Sequence, residues 1–247
     1  MKILILGGTA EARELANRLV AKGHDVMSSL AGRTTDPKLP EGDIRMGKFG
    51  GIPGLCAYMR AVGTERLVDA THPYAGLISI NAVTAAKVTG VPLVRFMRPA
   101  WQQREGDDWL TLQTVAEAAA ALPPNADVLL TTGHMGLEAF LQRDDCQFVV
   151  RLIEPPAFEL PRHASLLLAR PPYELMGELQ LMEREGITHL VTKNSGGGQT
   201  AAKLEAARRL GVKVIMIARP AYGPALEVSD LDAAMLAVEA GVLPGAA

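Results

Sequence analysis

Residues 2–15 read KILILGGTAEAREL. Four apolar residues run into two glycines and a threonine, and a helical pattern follows at once. An unbroken apolar run fits a strand buried on both faces, as in a parallel sheet. Over residues 11–21, Ala12, Leu15, Ala16 and Leu19 fall on one face of a helix, and Gly23 closes it. The chain must therefore turn sharply between strand and helix. Glycine permits the turn and lets a ligand approach the backbone. The first amides of a helix lack internal partners and carry the positive end of its dipole, so phosphate fits there. Gly7, Gly8, Thr9, Ala10 and Glu11 form a candidate pyrophosphate cradle. The dinucleotide fingerprint G-x-G-x-x-G is here G-G-T-A-E-A, with Thr9 at the second glycine and Ala12 at the third. A plain strand-to-helix turn with Thr9 as its N-cap is the alternative.

Working outward, further strands are expected at 24–30, 66–70 and 91–96, with a helix at 77–89. Strand, helix, strand, repeated, predicts a parallel sheet covered on both faces. The pattern restarts after Arg98-Pro99 and the polar stretch 102–108, which reads as a linker. Strands are expected at 109–112, 127–131, 148–153, 166–169, 189–192 and 213–217, and helices at 114–122, 173–185, 199–210 and 230–240. The expected fold is α/β, with two Rossmann-like domains at 1–100 and 101–247. Each is a mainly parallel sheet flanked by helices, with a ligand cleft between them.

The second strand ends in LAGRTT, residues 30–35. NAD sites place an acidic residue here, and NADP sites a basic one. Arg33 offers a planar fork suited to a 2′-phosphate, with Thr34 beside it. NADP(H) is favoured over NAD, against the alternative of a solvent-facing loop arginine.

Two more loops carry chemistry. Residues 69–75 read DATHPYA. His72 and Tyr74 are candidates for contact with a nicotinamide or a substrate edge, and His72 for proton donation, its ordinary pKa being about 6.5. Thr71 or His72 as a helix cap, with Pro73 in the first turn, is the structural alternative. Residues 193–200 read KNSGGGQT. Lys193, Asn194, Ser195, Gly196 and Gly197 suggest an anion-binding backbone nest. It is not a Walker loop, because the lysine precedes the glycines. Three predicted strands exit into Arg-Pro, at Arg98, Arg170 and Arg219. Either proline stops the strand and arginine solvates its edge, or the arginines face the rim where open α/β sheets bind ligands.

Bulk properties narrow the field. A net charge of −2 and a pI near 6.2 argue against nucleic acid as a partner. Cys56 and Cys146 lack metal-type spacing, and no G-x-S-x-G elbow or H-E-x-x-H helix occurs, so no metal is expected. No stretch reaches the roughly 18–20 apolar residues of a membrane span, and the run 3–6 is too short for a secretory signal. A cytoplasmic protein is expected. The sequence leaves the oligomeric state open, and a monomer is compatible with it.

LGGTAEA at 6–12, DATHPYA at 69–75 and KNSGGG at 193–198, with the three Arg-Pro exits, resemble the precorrin-6A reductase family of cobalamin biosynthesis. The resemblance spans nearly the whole chain. It implies an oxidoreductase that uses NADPH to reduce precorrin-6A to precorrin-6B, with cofactor and substrate between two Rossmann-like domains. A sister branch acts on the cobalt-containing substrate. The tetrapyrrole carries several carboxylates, which Arg98, Arg170, Lys193, Arg219 and the loop of Asn194, Ser195, Gly196 and Gly197 would suit. His72, Tyr74 and Lys193 become the candidate catalytic residues. His72 is also placed beside the nicotinamide of a cofactor held by residues 7–11, Arg33 and Thr34. The rival readings are a non-catalytic NADP(H) sensor and an α/β enzyme acting on a nucleotide-sugar or another tetrapyrrole without a redox step.

Overall fold

The structure, a computed structural model, describes residues 1–32 and 38–241. It contains two six-stranded sheets whose pairings are all parallel among the described residues. β1 (Lys2–Leu6) lies between β2 (Asp25–Leu30) and β4 (Arg66–Asp69). Its four apolar residues face two layers in alternation. Ile3 and Ile5 pack with Leu15 and Leu19 of α1 (Ala10–Ala21) and with Ala234 and Val238 of α8 (Leu231–Ala240). Leu4 and Leu6 pack with Leu55 and Met59 of α2 (Gly51–Val62) and with Ala82 and Ala85 of α3 (Gly76–Thr89). Burying them contributes roughly 6–12 kcal/mol of gross hydrophobic stabilisation. The unbroken apolar run is the consequence of having helices on both sides.

The chain divides into two compact units. Met1–Pro99 and the segment from Pro220 onward form one, and Ala100–Arg219 forms the other. The expected second domain of 101–247 is thereby corrected. β5 (Leu93–Phe96) would end the first sheet with an open edge of backbone donors and acceptors. β12 (Leu226–Val228) pairs with it, and α8 then covers the α1 side. The chain thus leaves the first unit after one Arg-Pro and returns at another.

In sheet order, the first unit is β12-β5-β4-β1-β2-β3, with β3 at Asp43–Met46. The second is β6-β11-β10-β7-β8-β9. Its strands are β6 (Trp109–Leu112), β7 (Asp127–Leu130), β8 (Gln147–Leu152), β9 (Ala164–Leu168), β10 (His189–Lys193) and β11 (Lys213–Ile217). Position by position, the two orders correspond. β10 therefore stands where β4 stands, β11 where β5 stands, and β7 where β1 stands. The helices of this unit are α4 (Val115–Ala120), α5 (Leu137–Leu141), α6 (Leu175–Arg184) and α7 (Ala202–Leu210).

The sequence pattern did not announce α2, because Pro53 and Gly54 look like breakers. Proline is tolerated in a first turn, where its missing N–H is not needed. Gly54 is required by space: a Cβ there would lie 1.7 Å from the Phe49 carbonyl oxygen. Gly54→Ala is expected to cost about 3 kcal/mol and to lower Tm by roughly 6–12 °C, measured by thermal denaturation. An unchanged Tm would mean that the Phe49–Gly54 approach is not as close as described.

Candidate functional site

The chain turns tightly from β1 into α1. Gly7 N–H donates to the Ser29 carbonyl at 3.0 Å, which ties the turn to β2. Gly8 takes a φ of +112°, open to glycine, and a Cβ there would meet nothing within 4 Å. The backbone at Gly8 is therefore uncovered on that side. Thr9 caps α1 by accepting from Ala12 N–H at 3.0 Å, and its hydroxyl proton goes to the Ala70 carbonyl at 3.0 Å. Thr9 is therefore the N-cap of α1, as the alternative reading has it. With its hydroxyl committed, Thr9 can serve an anion only through its amide. Among the described residues, the amides of Thr9, Ala10 and Glu11 make no hydrogen bond within the protein, which is what a helix-terminus anion site requires. Arg33 and Thr34 lie outside the described residues.

Glu11 sits in the first helical turn, and the Arg98 guanidinium reaches both of its oxygens at 3.0 and 3.1 Å. The pair offsets an acidic group that would otherwise oppose a phosphate. Arg98 therefore stands beside the N-terminus of α1, within the first unit.

The 69–75 loop hangs on a network that the sequence reading missed. Asp69 is buried at the end of β4. It accepts from the Thr71 hydroxyl at 2.7 Å and from Arg95 Nε at 3.4 Å. Arg95, 1% exposed within β5, also donates to the Gly223 carbonyl and to Glu227. Tyr222 lies against the Arg95 guanidinium, and its hydroxyl donates to the Pro73 carbonyl at 2.7 Å. Burial raises the Tyr222 phenol above its ordinary pKa, and Asp69 adds to the effect. Neither Thr71 nor His72 caps α3, whose N-cap is Ala75 without a side-chain bond. His72 is exposed, and its Nδ1 accepts from Tyr74 N–H at 3.3 Å, which leaves the proton of a neutral ring on Nε2. The two rings stand 5.9 Å apart, centroid to centroid. The visible signal for this network was a charged residue, Arg95, inside the apolar strand LVRF. A lone buried arginine implies a buried carboxylate.

In the second unit the 193–197 loop is tightly held. Lys193 is buried and donates to the Thr132 carbonyl at 2.7 Å. Ser195 is also buried. Gly196 and Gly197 both take positive φ, consistent with a nest of successive amides. Arg219 Nε donates to the Asn194 carbonyl at 2.7 Å, and Arg170 pairs with Glu154 at 2.7 Å. Each of the three Arg-Pro arginines thus lies two residues beyond a strand, at its carboxyl end. Beneath the loop, Arg151 of β8 pairs with Glu178 of α6 and stacks on Tyr173. Lys203 of α7, 4% exposed, donates to the Thr131 hydroxyl at 3.1 Å. Burial, and then the Arg151 charge, lower the Lys203 pKa to about 7, against the pull of Glu178. This cluster was invisible in sequence, since it joins residues of β8, α6 and α7. Among the described residues no group of ligating side chains could hold a metal, and no helix is long and apolar enough to cross a membrane.

Residues 2–239 match the model of the family described as precorrin-6x reductase CbiJ/CobK. The chain is 49% identical over 231 residues to the precorrin-6A reductase of Rhodococcus erythropolis, with 93% of each covered. A solved structure described as CobK precorrin-6A reductase shares the fold with a TM-score of 0.92, at 39% identity and with all of both chains covered. Identity is lower, 30%, to the cobalt-precorrin-6A reductase of Priestia megaterium, which covers 88% of this chain and 90% of that one.

The Lys203 ammonium sets a pH dependence of stability. Its folded pKa is about 7, against about 10.4 in an unfolded chain. Between these values the unfolded state binds more protons, so stability rises with pH from about 7 to about 10. Lys203→Met is expected to flatten that rise, measured as denaturant midpoints at pH 7 and pH 9.5. Equal slopes in both proteins would mean that Lys203 stays charged when buried.

Proposed function

The chain belongs to the precorrin-6x reductase family, and from that premise we propose that it reduces precorrin-6A to precorrin-6B with NADPH in cobalamin biosynthesis. The reaction consumes one NADPH and one proton per macrocycle and yields NADP⁺. The observation that carries the cofactor assignment is the β1 exit. There, open space over Gly8 and the amides of residues 9–11 converge where a pyrophosphate would sit. When bound, NADPH supplies the hydride.

The chain's own residues position and protonate. Gly8, Thr9, Ala10 and Glu11 take the pyrophosphate through the backbone, on a turn that Gly7 ties to β2, with Arg98 neutralising Glu11. Arg33 and Thr34 take the 2′-phosphate and set the preference for NADPH. His72 and Tyr74 border the nicotinamide, on a loop fixed by Asp69, Arg95 and Tyr222. Lys193, Asn194, Ser195, Gly196, Gly197, Arg170 and Arg219 meet carboxylates of the tetrapyrrole. As hydride arrives, the neighbouring carbon must be protonated, by His72 Nε2–H, by Tyr74 or by the Lys193 ammonium. The greater identity to relatives named for the metal-free substrate than to one named for the cobalt form favours precorrin-6A. The family description also supports the sister activity on cobalt-precorrin-6A as the second reading.

Purified protein is expected to oxidise one equivalent of NADPH per precorrin-6A, followed by loss of nicotinamide absorbance. NADPH binding without turnover would leave a dinucleotide-binding module in place of a reductase. Arg33→Ala is expected to cost roughly 10–100-fold in kcat/KM with NADPH and little with NADH, the worth of hydrogen bonds to a charged phosphate. Equal losses would remove Arg33 from the 2′-phosphate site. Lys193→Ala is expected to raise the KM for precorrin-6A roughly tenfold or more, the worth of a charged hydrogen bond, while the KM for NADPH stays put. A rise in the NADPH value instead would assign the loop to the cofactor.

A further inference from the structure

Trp101 reads in sequence as the edge of a linker, yet its bonds all run to one place. Its backbone N–H donates to Asn194 Oδ1 at 2.8 Å, and its carbonyl accepts from Asn194 Nδ2 at 3.0 Å. The Asn194 amide is thereby clamped across a single residue. The Trp101 indole N–H then donates to the Gly197 carbonyl at 3.0 Å. From the other side, the buried Lys203 ammonium lies 5.3 Å from the indole centroid. The loop between Asn194 and Gly197 contains Gly196, and Gly196 and Gly197 both take positive φ, a backbone with little stiffness of its own. Three hydrogen bonds to one half-buried residue, two from its backbone and one from its indole, fix both ends of the loop.

We propose that Trp101 is a positioning residue for the reduction: it holds residues 194–197 in the geometry that receives a carboxylate of the macrocycle. The proposal rests on the reading that this loop meets the substrate. It adds that the loop's shape is imposed from outside, by the segment that enters the second unit. The hydrogen bonds given above for Trp101 all run to the 194–197 loop of its own unit, so its influence is expected on substrate binding. Asn194 also takes its backbone place from β11, its N–H donating to the Ile217 carbonyl at 3.0 Å. What Trp101 adds is the orientation of the Asn194 side chain and of the Gly197 carbonyl.

The test uses the full-length enzyme with two graded variants. Trp101→Phe keeps a ring for Lys203 and the backbone clamp, and removes the indole donor. Trp101→Leu removes the ring as well. Trp101→Phe is expected to raise the KM for precorrin-6A about three- to tenfold, the worth of one hydrogen bond, with the KM for NADPH and kcat within about twofold. Trp101→Leu is expected to raise it further. In both, hydrogen exchange of the 195–198 amides is expected to quicken while that of β10 and β11 is unchanged. Unchanged exchange in the loop, or both KM values rising together, would overturn the proposal. So would faster exchange with an unmoved precorrin-6A KM. The underlying reading fails separately, if Lys193→Ala leaves the precorrin-6A KM unmoved.

Discussion

The exit of β1 is fixed from three directions. β2 holds Gly7 through the Ser29 carbonyl, β4 holds Thr9 through the Ala70 carbonyl, and α1 is capped by the same Thr9 hydroxyl. This one side chain therefore registers a helix terminus against the exit of β4. Its consequence is chemical. With the cap satisfied by Thr9, the next amides point outward beside a glycine with no side chain in the way. An anion site made of backbone needs no rearrangement on binding, because its dipoles are already set by the fold.

The second unit repeats the strand order but changes the chemistry at the same positions. Where β1 feeds a twelve-residue helix through a glycine turn, β7 runs into Thr131, Thr132 and a helix of only five residues. A full-length capped helix terminus is absent there among the described residues. The charged groups have moved instead to the exits of β10 and β11, which correspond to β4 and β5. Each unit buries an arginine against a carboxylate and a tyrosine near its strand ends: Arg95 with Asp69 and Tyr222, and Arg151 with Glu178 and Tyr173. Breaking a buried pair of this kind leaves an uncompensated charge, at a cost of about 3–5 kcal/mol. Such pairs therefore hold the adjacent loops to one geometry.

Much of this was legible in the residues themselves. The α1 face of Ala12, Leu15, Ala16 and Leu19 is the buried face observed, because helical periodicity is a local property. The positions of the Gly7–Gly8 turn and of the 193–198 loop were legible for the same reason. The return of the chain was not. β12 is three residues long in a stretch rich in proline and glycine, and only the open edge of β5 gives it a reason to be a strand. α2 was hidden because the need for Gly54 arises from Phe49, a contact that periodicity does not encode. Likewise, Tyr222, Trp101 and Lys203 act on loops far from them in sequence. The resemblance carried by LGGTAEA, DATHPYA and KNSGGG agrees with the family match, yet those motifs hold only part of what fixes the loops: Thr9, Asp69 and Asn194 lie inside them, while Arg95, Tyr222 and Trp101 lie outside.

A crystal structure of the protein with NADPH bound is the most direct measurement of the account. It is predicted to show the pyrophosphate over Gly8, within hydrogen-bonding distance of amides in the 9–11 turn, with the Thr9 hydroxyl still bonded to Ala70. A cofactor bound elsewhere, with that turn empty, would contradict it.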